Sequence, residues 1–149
     1  MYETVLWATD ASPVADGALK VAVELLQPGG RLIAFHCDER FHGGRSGGLP
    51  LLADEFDRIE HLREQVEELQ SEGIHAELLV EITHRNTAGE IARAAEAGDA
   101  DVIVCGTRGF GIVAGAVAGS VAMRLPHVAS CPVVVVSEKA VERTAAAAL

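Results

Sequence analysis

Five short apolar runs alternate with stretches of helical periodicity, and this alternation constrains the fold more than any other feature of the chain. The first run ends at Thr9-Asp10. Ser12-Pro13 follows and favours a helix start, because serine caps the free amide groups and proline suits the first turn. Apolar residues then recur at helical spacing until Pro28-Gly29-Gly30 interrupts the pattern. No hairpin turn sequence joins two of the runs, so consecutive strands are expected to be connected by helices.

The later part of the chain continues the same alternation. Strands are predicted over residues 4–8, 31–37, 74–82, 102–105 and 131–136, and further helices over 52–73, 87–98 and 121–127. Thr87-Ala88-Gly89-Glu90 fits a capping box, which predicts Thr87 as the N-cap of its helix. Residues 41–50 contain four glycines and are predicted to form a mobile loop, and residues 138–149 a frayed, flexible tail.

This order of elements predicts an α/β fold, a single-domain, Rossmann-like, doubly wound, five-stranded parallel sheet with helices on both faces. The expected strand order is 3-2-1-4-5, with right-handed crossovers. The sequence contains neither internal repeats nor a linker, so residues 1–149 are assigned to one domain. In this order the first and fourth strands are neighbours, and ligands of doubly wound sheets bind where the strand order reverses.

The glycine-rich segment after the fourth strand points to a ligand. It reads Gly106-Thr107-Arg108-Gly109, then nine residues, then Gly119-Ser120 at the start of a predicted helix. Backbone amides at such a passage can face an anion, and a Cβ would hinder both a left-handed turn and a close phosphate. The chain has no Walker A sequence and no lysine between Lys20 and Lys139, so this is a different kind of phosphate site. The pattern indicates a nucleotide-binding protein.

Charge and composition exclude several other classes. The net charge of −10 argues against nucleic acid or an anionic membrane as the main partner. No apolar run approaches the roughly 20 residues needed to span a bilayer, and no signal peptide is visible, so a cytoplasmic location is expected. The three cysteines show no C-x-x-C spacing and the six histidines no metal-binding pattern. We therefore expect structural thiols and no metal held by the protein itself.

The spacing of Gly106, Gly109, Gly119 and Ser120 resembles the ATP-binding signature of the universal stress protein family. The resemblance covers roughly residues 2–137 and includes the opening strand with its Asp10 turn, the end of the second strand, and the closing strand. Ala11 departs from the family pattern, which commonly has a glycine or an aromatic residue after the aspartate. The resemblance implies the ATP-binding branch of the family, because part of the family lacks the glycine signature and does not bind ATP.

The resemblance also implies a role for each matching residue. Asp10 would bind the ribose, although a purely structural role in capping the first helix stays open. The other implied contacts are Ala8, Thr9 and Cys37 on the adenine side, Gly106, Arg108 and Gly109 around ribose and phosphates, and Gly119, Ser120, Val121 and Ala122 at the phosphates. Mg²⁺ or Mn²⁺ would come with the phosphates of ATP.

The leading expectation is an ATP-dependent stress-response module rather than an enzyme. We nominate no catalytic residue, since no Walker B aspartate is found and Arg108 is equally well a solvated loop residue. Two alternatives stay open: a slow ATPase or nucleotide-transfer enzyme, and a dimeric interaction protein that binds no nucleotide. The resemblance implies a homodimer through the fifth strand, Val133–Val136, unless the C-terminal tail covers that edge.

Overall fold

A computed structural model describes residues 1–39, 48–83, 86–107 and 119–147 of the chain. Five strands alternate with five helices along the sequence. The strands are β1 (Tyr2–Ala8), β2 (Leu26–Glu39), β3 (His75–Thr83), β4 (Val102–Gly106) and β5 (Val133–Val136). The helices are α1 (Pro13–Leu25), α2 (Gly48–Ser71), α3 (Thr87–Ala97), α4 (Ser120–Val128) and α5 (Glu138–Ala147).

The strands form one parallel sheet in the order β3-β2-β1-β4-β5, which confirms the predicted α/β fold and strand order. β1 lies at the centre, and Val5, Leu6 and Trp7 on it are fully buried. A central parallel strand is covered on both faces, which is why it is a continuous apolar run rather than an alternating one.

Successive side chains of the central strands enter two different cores. Trp7 and Val104 belong to the core on one face of the sheet, which also includes Leu62 and Val66 of α2. The neighbouring side chain, Leu6, packs on the other face with residues of α3 and α4. The Trp7 indole also donates a hydrogen bond from Nε1 to the Ala15 carbonyl oxygen at 2.9 Å, so its buried polar atom is satisfied while α1 is held against β1.

Several local predictions differ from the structure. β2 is longer than predicted, because residues 26–30 join it after α1 ends, with Gly29 at a φ of +77°. α2 begins at Gly48, so residues 48–50 of the predicted 41–50 loop are helical, while residues 41–47 lie outside the described residues. The N-cap of α3 is Asn86 instead of Thr87, since the Asn86 side chain accepts the Gly89 amide at 3.0 Å.

The predicted frayed tail is helical as far as Ala147, and α5 packs beside α1. Ser137 starts this helix, with its hydroxyl accepting the Ala140 amide at 3.2 Å and its carbonyl accepting the Val141 amide at 3.1 Å. Val141 lies directly over Gly17, where an added Cβ would come within 2.3 Å of a valine methyl. The alanine-rich sequence favours a helix, and this contact gives it a surface to pack on.

Candidate functional site

The end of β1 and the end of β4 lie side by side at the carboxyl edge of the sheet. The two strands pair in parallel, with Ala8 opposite Cys105 as their last pair. β2 flanks the other side of β1, so the strand order reverses between β1 and β4. Asp10 and Gly106 therefore leave the sheet into the same crevice, which is where doubly wound folds bind ligands.

The turn after β1 is held by its own side chains. The Thr9 hydroxyl accepts the Ala11 amide at 3.0 Å, and Asp10 Oδ1 accepts the Ser12 amide at 3.0 Å. Ser12 is the N-cap of α1, with its Oγ 3.4 Å from the Ala15 amide nitrogen. Asp10 thus takes part in the entry to α1, as the structural alternative expected, although the cap itself is Ser12. One of its carboxylate oxygens supports the turn, and the carboxylate stays half-buried at the crevice.

Ala11 adopts a backbone conformation that suits glycine better than alanine. Its φ is +63°, in the left-handed region, where a Cβ is disfavoured. The two hydrogen bonds on either side of it, from the Ala11 amide and from the Ser12 amide, enforce this turn. The turn geometry therefore explains why a glycine would be suited to this position.

Gly106, at the end of β4, is closely approached by the first turn of α1. A Cβ on Gly106 would come within 3.0 Å of Val14 Cγ1 and 3.3 Å of the Ala15 nitrogen. Gly106 does not have a positive φ, so the need for a glycine here comes from this close approach. The absence of a side chain lets α1 pack against the strand end.

The two described ends of the glycine-rich segment are joined to each other. The Gly119 amide donates to the Thr107 carbonyl at 2.6 Å, and the Thr107 amide donates to the Val136 carbonyl at 2.9 Å. These bonds bring the start of α4 to the end of β4. Arg108 and Gly109 lie outside the described residues, so their assignment stays a prediction.

α4 presents its amino terminus beside this junction. Gly119 is its N-cap, with φ −68° and ψ 157°, and no side chain caps the helix. Ser120, Val121 and Ala122 form the first turn, whose amides have no acceptor within a helix. The Met123 amide is the first to bond back, to the Gly119 carbonyl at 3.1 Å. Together with the helix dipole, this terminus suits an anion.

The three residues assigned to the adenine side lie on β1 and β2. Ala8 and Thr9 are buried, and the Ala8 side chain packs in the core on the α3 and α4 face. Cys37 is half-buried and lies two residues beyond Phe35, the last β2 residue paired with β1.

A buried histidine on β2 contacts the turn after β1, and the sequence analysis did not predict this contact. His36 is 1% exposed, and its Nδ1 donates to the Thr9 carbonyl at 2.9 Å. Its Nε2 contacts the Glu55 carboxylate, whose other oxygen lies 3.5 Å from Arg58 Nη1. This chain of contacts connects α2 to the end of β1. The sequence shows a histidine within an apolar strand, which could have indicated a buried polar contact, but it does not indicate the partner of that histidine.

Of the three thiols, Cys105 is buried, and Cys37 and Cys131 are half-buried. Burial raises the pKa of the Cys105 thiol to about 11, and burial is also the main cause that raises the pKa of Cys131. At neutral pH both therefore stay protonated and weakly nucleophilic. Among the residues that the structure describes, no group of three or more histidine, cysteine or acidic side chains is arranged to hold a metal ion. Within the same part of the chain, no helix has the length and apolar character to cross a bilayer.

The fold and the crevice define an α/β protein of the doubly wound, Rossmann-like class. The family model for the universal stress protein family matches residues 1–137. The chain therefore belongs to the universal stress protein family, as the glycine spacing predicted. Comparison with curated protein sequences finds no match to this chain.

Solved structures of family members have the same fold. A universal stress protein from Archaeoglobus fulgidus is 26% identical, with a TM-score of 0.66 over 91% of this chain and 94% of that one. A universal stress protein from Archaeoglobus fulgidus in complex with dAMP is 24% identical, with a TM-score of 0.60 over 91% of this chain and 98% of that one. A family protein from Arabidopsis thaliana with AMP bound is 17% identical, with a TM-score of 0.67 over 93% and 94%.

Replacing Ala11 with glycine is expected to stabilise the protein. The left-handed φ of +63° costs alanine more than glycine, and the gain outweighs the extra entropy of glycine in the unfolded chain. We expect Ala11→Gly to raise the free energy of unfolding by about 1 kcal/mol, or the midpoint of thermal unfolding by about 2–4 °C. Ala94→Gly, within α3, serves as the matched control and should lower stability by about 1 kcal/mol. Equal destabilisation by both variants would show that the turn at Ala11 is unstrained.

Proposed function

We propose that this protein binds ATP in the crevice between β1 and β4 and acts as a nucleotide-dependent regulatory module of the cytoplasmic stress response. One observation carries this proposal: the uncapped amino terminus of α4 lies at the end of β4, pinned by the Gly119–Thr107 hydrogen bond, beside the turn that holds Asp10. An electropositive helix terminus and a carboxylate at one edge of a sheet suit the phosphates and the ribose of a nucleotide.

The family members of known structure support an adenine nucleotide as the ligand. The Arabidopsis thaliana protein holds AMP and the Archaeoglobus fulgidus protein holds dAMP. This chain has an additional electrostatic requirement, since its net charge of −10 repels a polyanion at long range. Local amide donors must supply the attraction, and the first turn of α4 provides them.

Each site residue predicted from the sequence has a role in this proposal. Gly119 leaves room for the phosphates, and the amides of Ser120, Val121 and Ala122 with the Ser120 hydroxyl bind them. Asp10 accepts hydrogen bonds from the ribose. The remaining proposed contacts are Ala8, Thr9 and Cys37 on the adenine side and Gly106, Arg108 and Gly109 around the ribose and phosphates. Mg²⁺ or Mn²⁺ would be held by the phosphates of ATP, which would supply most of its ligands.

Regulation is the favoured role because no group in the described part of the crevice is placed to activate water. Asp10 already accepts the Ser12 amide, and the His36 ring is directed at Thr9 and Glu55. ATP that binds one conformation of the protein better than another would change the surface presented to a partner. Slow ATP hydrolysis is the alternative activity, and ADP formed by the isolated complex would reveal it.

We also propose a homodimer through β5. β5 is an edge strand, and Val135 on it is 38% exposed. Met123 and Val128 are 63% and 45% exposed on α4, a helix that contacts β5. α5, which was the alternative cover for the strand, packs beside α1. An uncovered apolar edge strand is a favourable place for pairing with a second copy.

Gly119→Val tests the phosphate assignment. Its φ of −68° and ψ of 157° are extended backbone that valine adopts without strain, so we expect the fold to persist. The valine side chain would fill the space of the phosphates and weaken ATP binding by about 100-fold or more, measured by isothermal titration calorimetry. Gly119→Ala is the graded control and should bind ATP with an intermediate affinity. Normal ATP affinity in a folded Gly119→Val variant would refute the phosphate assignment.

Asp10→Asn tests the ribose assignment while sparing the turn. Asparagine keeps an oxygen for the Ser12 amide but loses the charge that strengthens hydrogen bonds from ribose hydroxyls. We expect about a tenfold loss of affinity for ATP and a smaller loss for 2′-deoxy-ATP, both measured by calorimetry. Equal losses for the two ligands would contradict contact with the ribose diol.

Val135→Asp tests the dimer at the exposed position of β5. The neighbouring Val136 is only 4% exposed, so a charge there would disturb the core instead of the proposed interface. We expect Val135→Asp to shift the protein from dimer to monomer in sedimentation velocity, because an unpaired charge is costly within a strand–strand interface. Leu79→Asp, at a position 39% exposed on the opposite edge strand, should leave the dimer intact. A dimer that survives Val135→Asp would place the interface elsewhere.

A further inference from the structure

His36 connects the end of β2 to the turn that carries Asp10. The ladder between β1 and β2 ends with the pair Ala8 and Phe35, and the Thr9 amide then donates to the Phe35 carbonyl at 2.9 Å. The next residue of β2 continues the connection with its side chain, since His36 Nδ1 lies 2.9 Å from the Thr9 carbonyl oxygen. Both main-chain polar groups of Thr9 are therefore bound by consecutive residues of β2.

The contact with the Thr9 carbonyl fixes the peptide group that leads into Asp10. That carbonyl belongs to the planar peptide between Thr9 and Asp10, so the ring sets the orientation of the whole group. The same two residues form the turn. The Thr9 hydroxyl accepts the Ala11 amide at 3.0 Å, and Asp10 Oδ1 accepts the Ser12 amide at 3.0 Å. A change at His36 is therefore expected to alter the position of the Asp10 carboxylate.

Both ring nitrogens of His36 face hydrogen-bond acceptors. A carbonyl oxygen can only accept, so Nδ1 must carry a proton. Nε2 contacts Oε1 of Glu55, and Oε2 of the same carboxylate lies 3.5 Å from Arg58 Nη1. A carboxylate that accepts from a guanidinium is ionised and likewise can only accept, so Nε2 must carry a proton as well. This pattern of acceptors makes the ring an imidazolium paired with the Glu55 carboxylate.

The protein shields this ion pair from water. His36 is 1% exposed and the Glu55 side chain 14%. Asp38 follows two residues later on the same face of β2 and adds a second buried carboxylate on this face. Hydrogen bonds from a charged donor are roughly twice as strong as neutral ones, and removal from water strengthens them further. The imidazolium therefore holds the Thr9 carbonyl more firmly than a neutral ring would.

We propose that the charged His36–Glu55 pair positions the Thr9–Asp10 turn for nucleotide binding. His36 is then a positioning residue, which acts through Asp10 and does not contact the ligand. This inference rests on the proposed function, because it concerns the same crevice. A turn that is already held in its binding conformation loses less entropy when the ligand binds, so the ion pair contributes to affinity. Because Glu55 lies on α2, the ring also couples that helix to the nucleotide turn.

His36→Leu tests the positioning role by calorimetry with ATP. Leucine is apolar and has no donor for the Thr9 carbonyl, so we expect the affinity for ATP to fall by about tenfold or more. His36→Asn should give an intermediate affinity, because its amide nitrogen can replace Nδ1 although the contact with Glu55 is lost. Leu32→Val, at a fully buried position of the same strand, is the control for lost stability. It should lower the midpoint of thermal unfolding and leave the affinity for ATP within about twofold.

Glu55→Gln tests the charge of the pair and keeps the inference testable if His36→Leu does not fold. The glutamine amide can donate to Nε2, so the ring is expected to become neutral with its proton on Nδ1. We expect the affinity for ATP to fall by about threefold, because the bond to the Thr9 carbonyl loses its charge assistance. Nitrogen NMR of the His36 ring should show two protonated nitrogens in the unmodified protein and one in Glu55→Gln. A role in packing alone would not change this signature.

Hydrogen exchange of the nucleotide-free protein separates this inference from ATP binding. The Ala11 and Ser12 amides are bound within the turn, and we expect them to exchange about tenfold faster in His36→Leu. An unmodified protein that binds no ATP would refute the proposed function and this inference together. If the unmodified protein binds ATP, any of three results would overturn this inference alone: equal affinity in His36→Leu, unchanged exchange of the two amides in that variant, or a single protonated nitrogen in the unmodified ring.

Discussion

The parallel pairing of β1 with β4 is the constraint on which the rest of the structure depends. Because these strands pair up to Ala8 and Cys105, the chain leaves both at one point of the sheet edge. Side chains of both strands contribute to the cores on the two faces of the sheet. Trp7 of β1 also donates a hydrogen bond to the Ala15 carbonyl of α1. The close packing of α1 on Gly106 and the Gly119–Thr107 hydrogen bond then fix where the first turn of α4 lies. The candidate site is therefore a consequence of strand order as much as of its own residues.

The fold could be predicted because strands and helices alternate in a way that leaves few topologies. A central strand of a parallel sheet is a continuous apolar run when both of its faces are covered, and residues 5–8 of β1 and 102–105 of β4 are such runs. Pro13 correctly marked the start of α1 and Gly73 the end of α2, whereas Pro28-Gly29-Gly30 lies within β2 and not at the end of α1. The candidate site was predicted through the spacing of Gly106, Gly119 and Ser120. Where the backbone must approach an anion closely, glycine is favoured because it has no side chain, and such glycines are visible in the sequence.

Other features escaped prediction because they depend on contacts distant in sequence or on competition between neighbours. The His36–Glu55 contact links residues that no pattern associates, and it holds the turn at Thr9. Asn86 outcompetes Thr87 as the cap of α3 through a single hydrogen bond to Gly89. α5 forms where a frayed tail was expected, because Val141 packs on Gly17. No pattern in the sequence indicated that Gly17 would be a packing position for the end of the chain.

The most direct test of the central claim is to identify what the purified protein carries. The protein is isolated without added nucleotide and denatured, and the released small molecules are identified by chromatography and mass spectrometry. The account predicts ATP in near-stoichiometric amount from the unmodified chain and little or none from Gly119→Val. A protein that releases no nucleotide, and that also fails to bind ATP in calorimetry, would contradict the account and leave the dimer surface as the place of function.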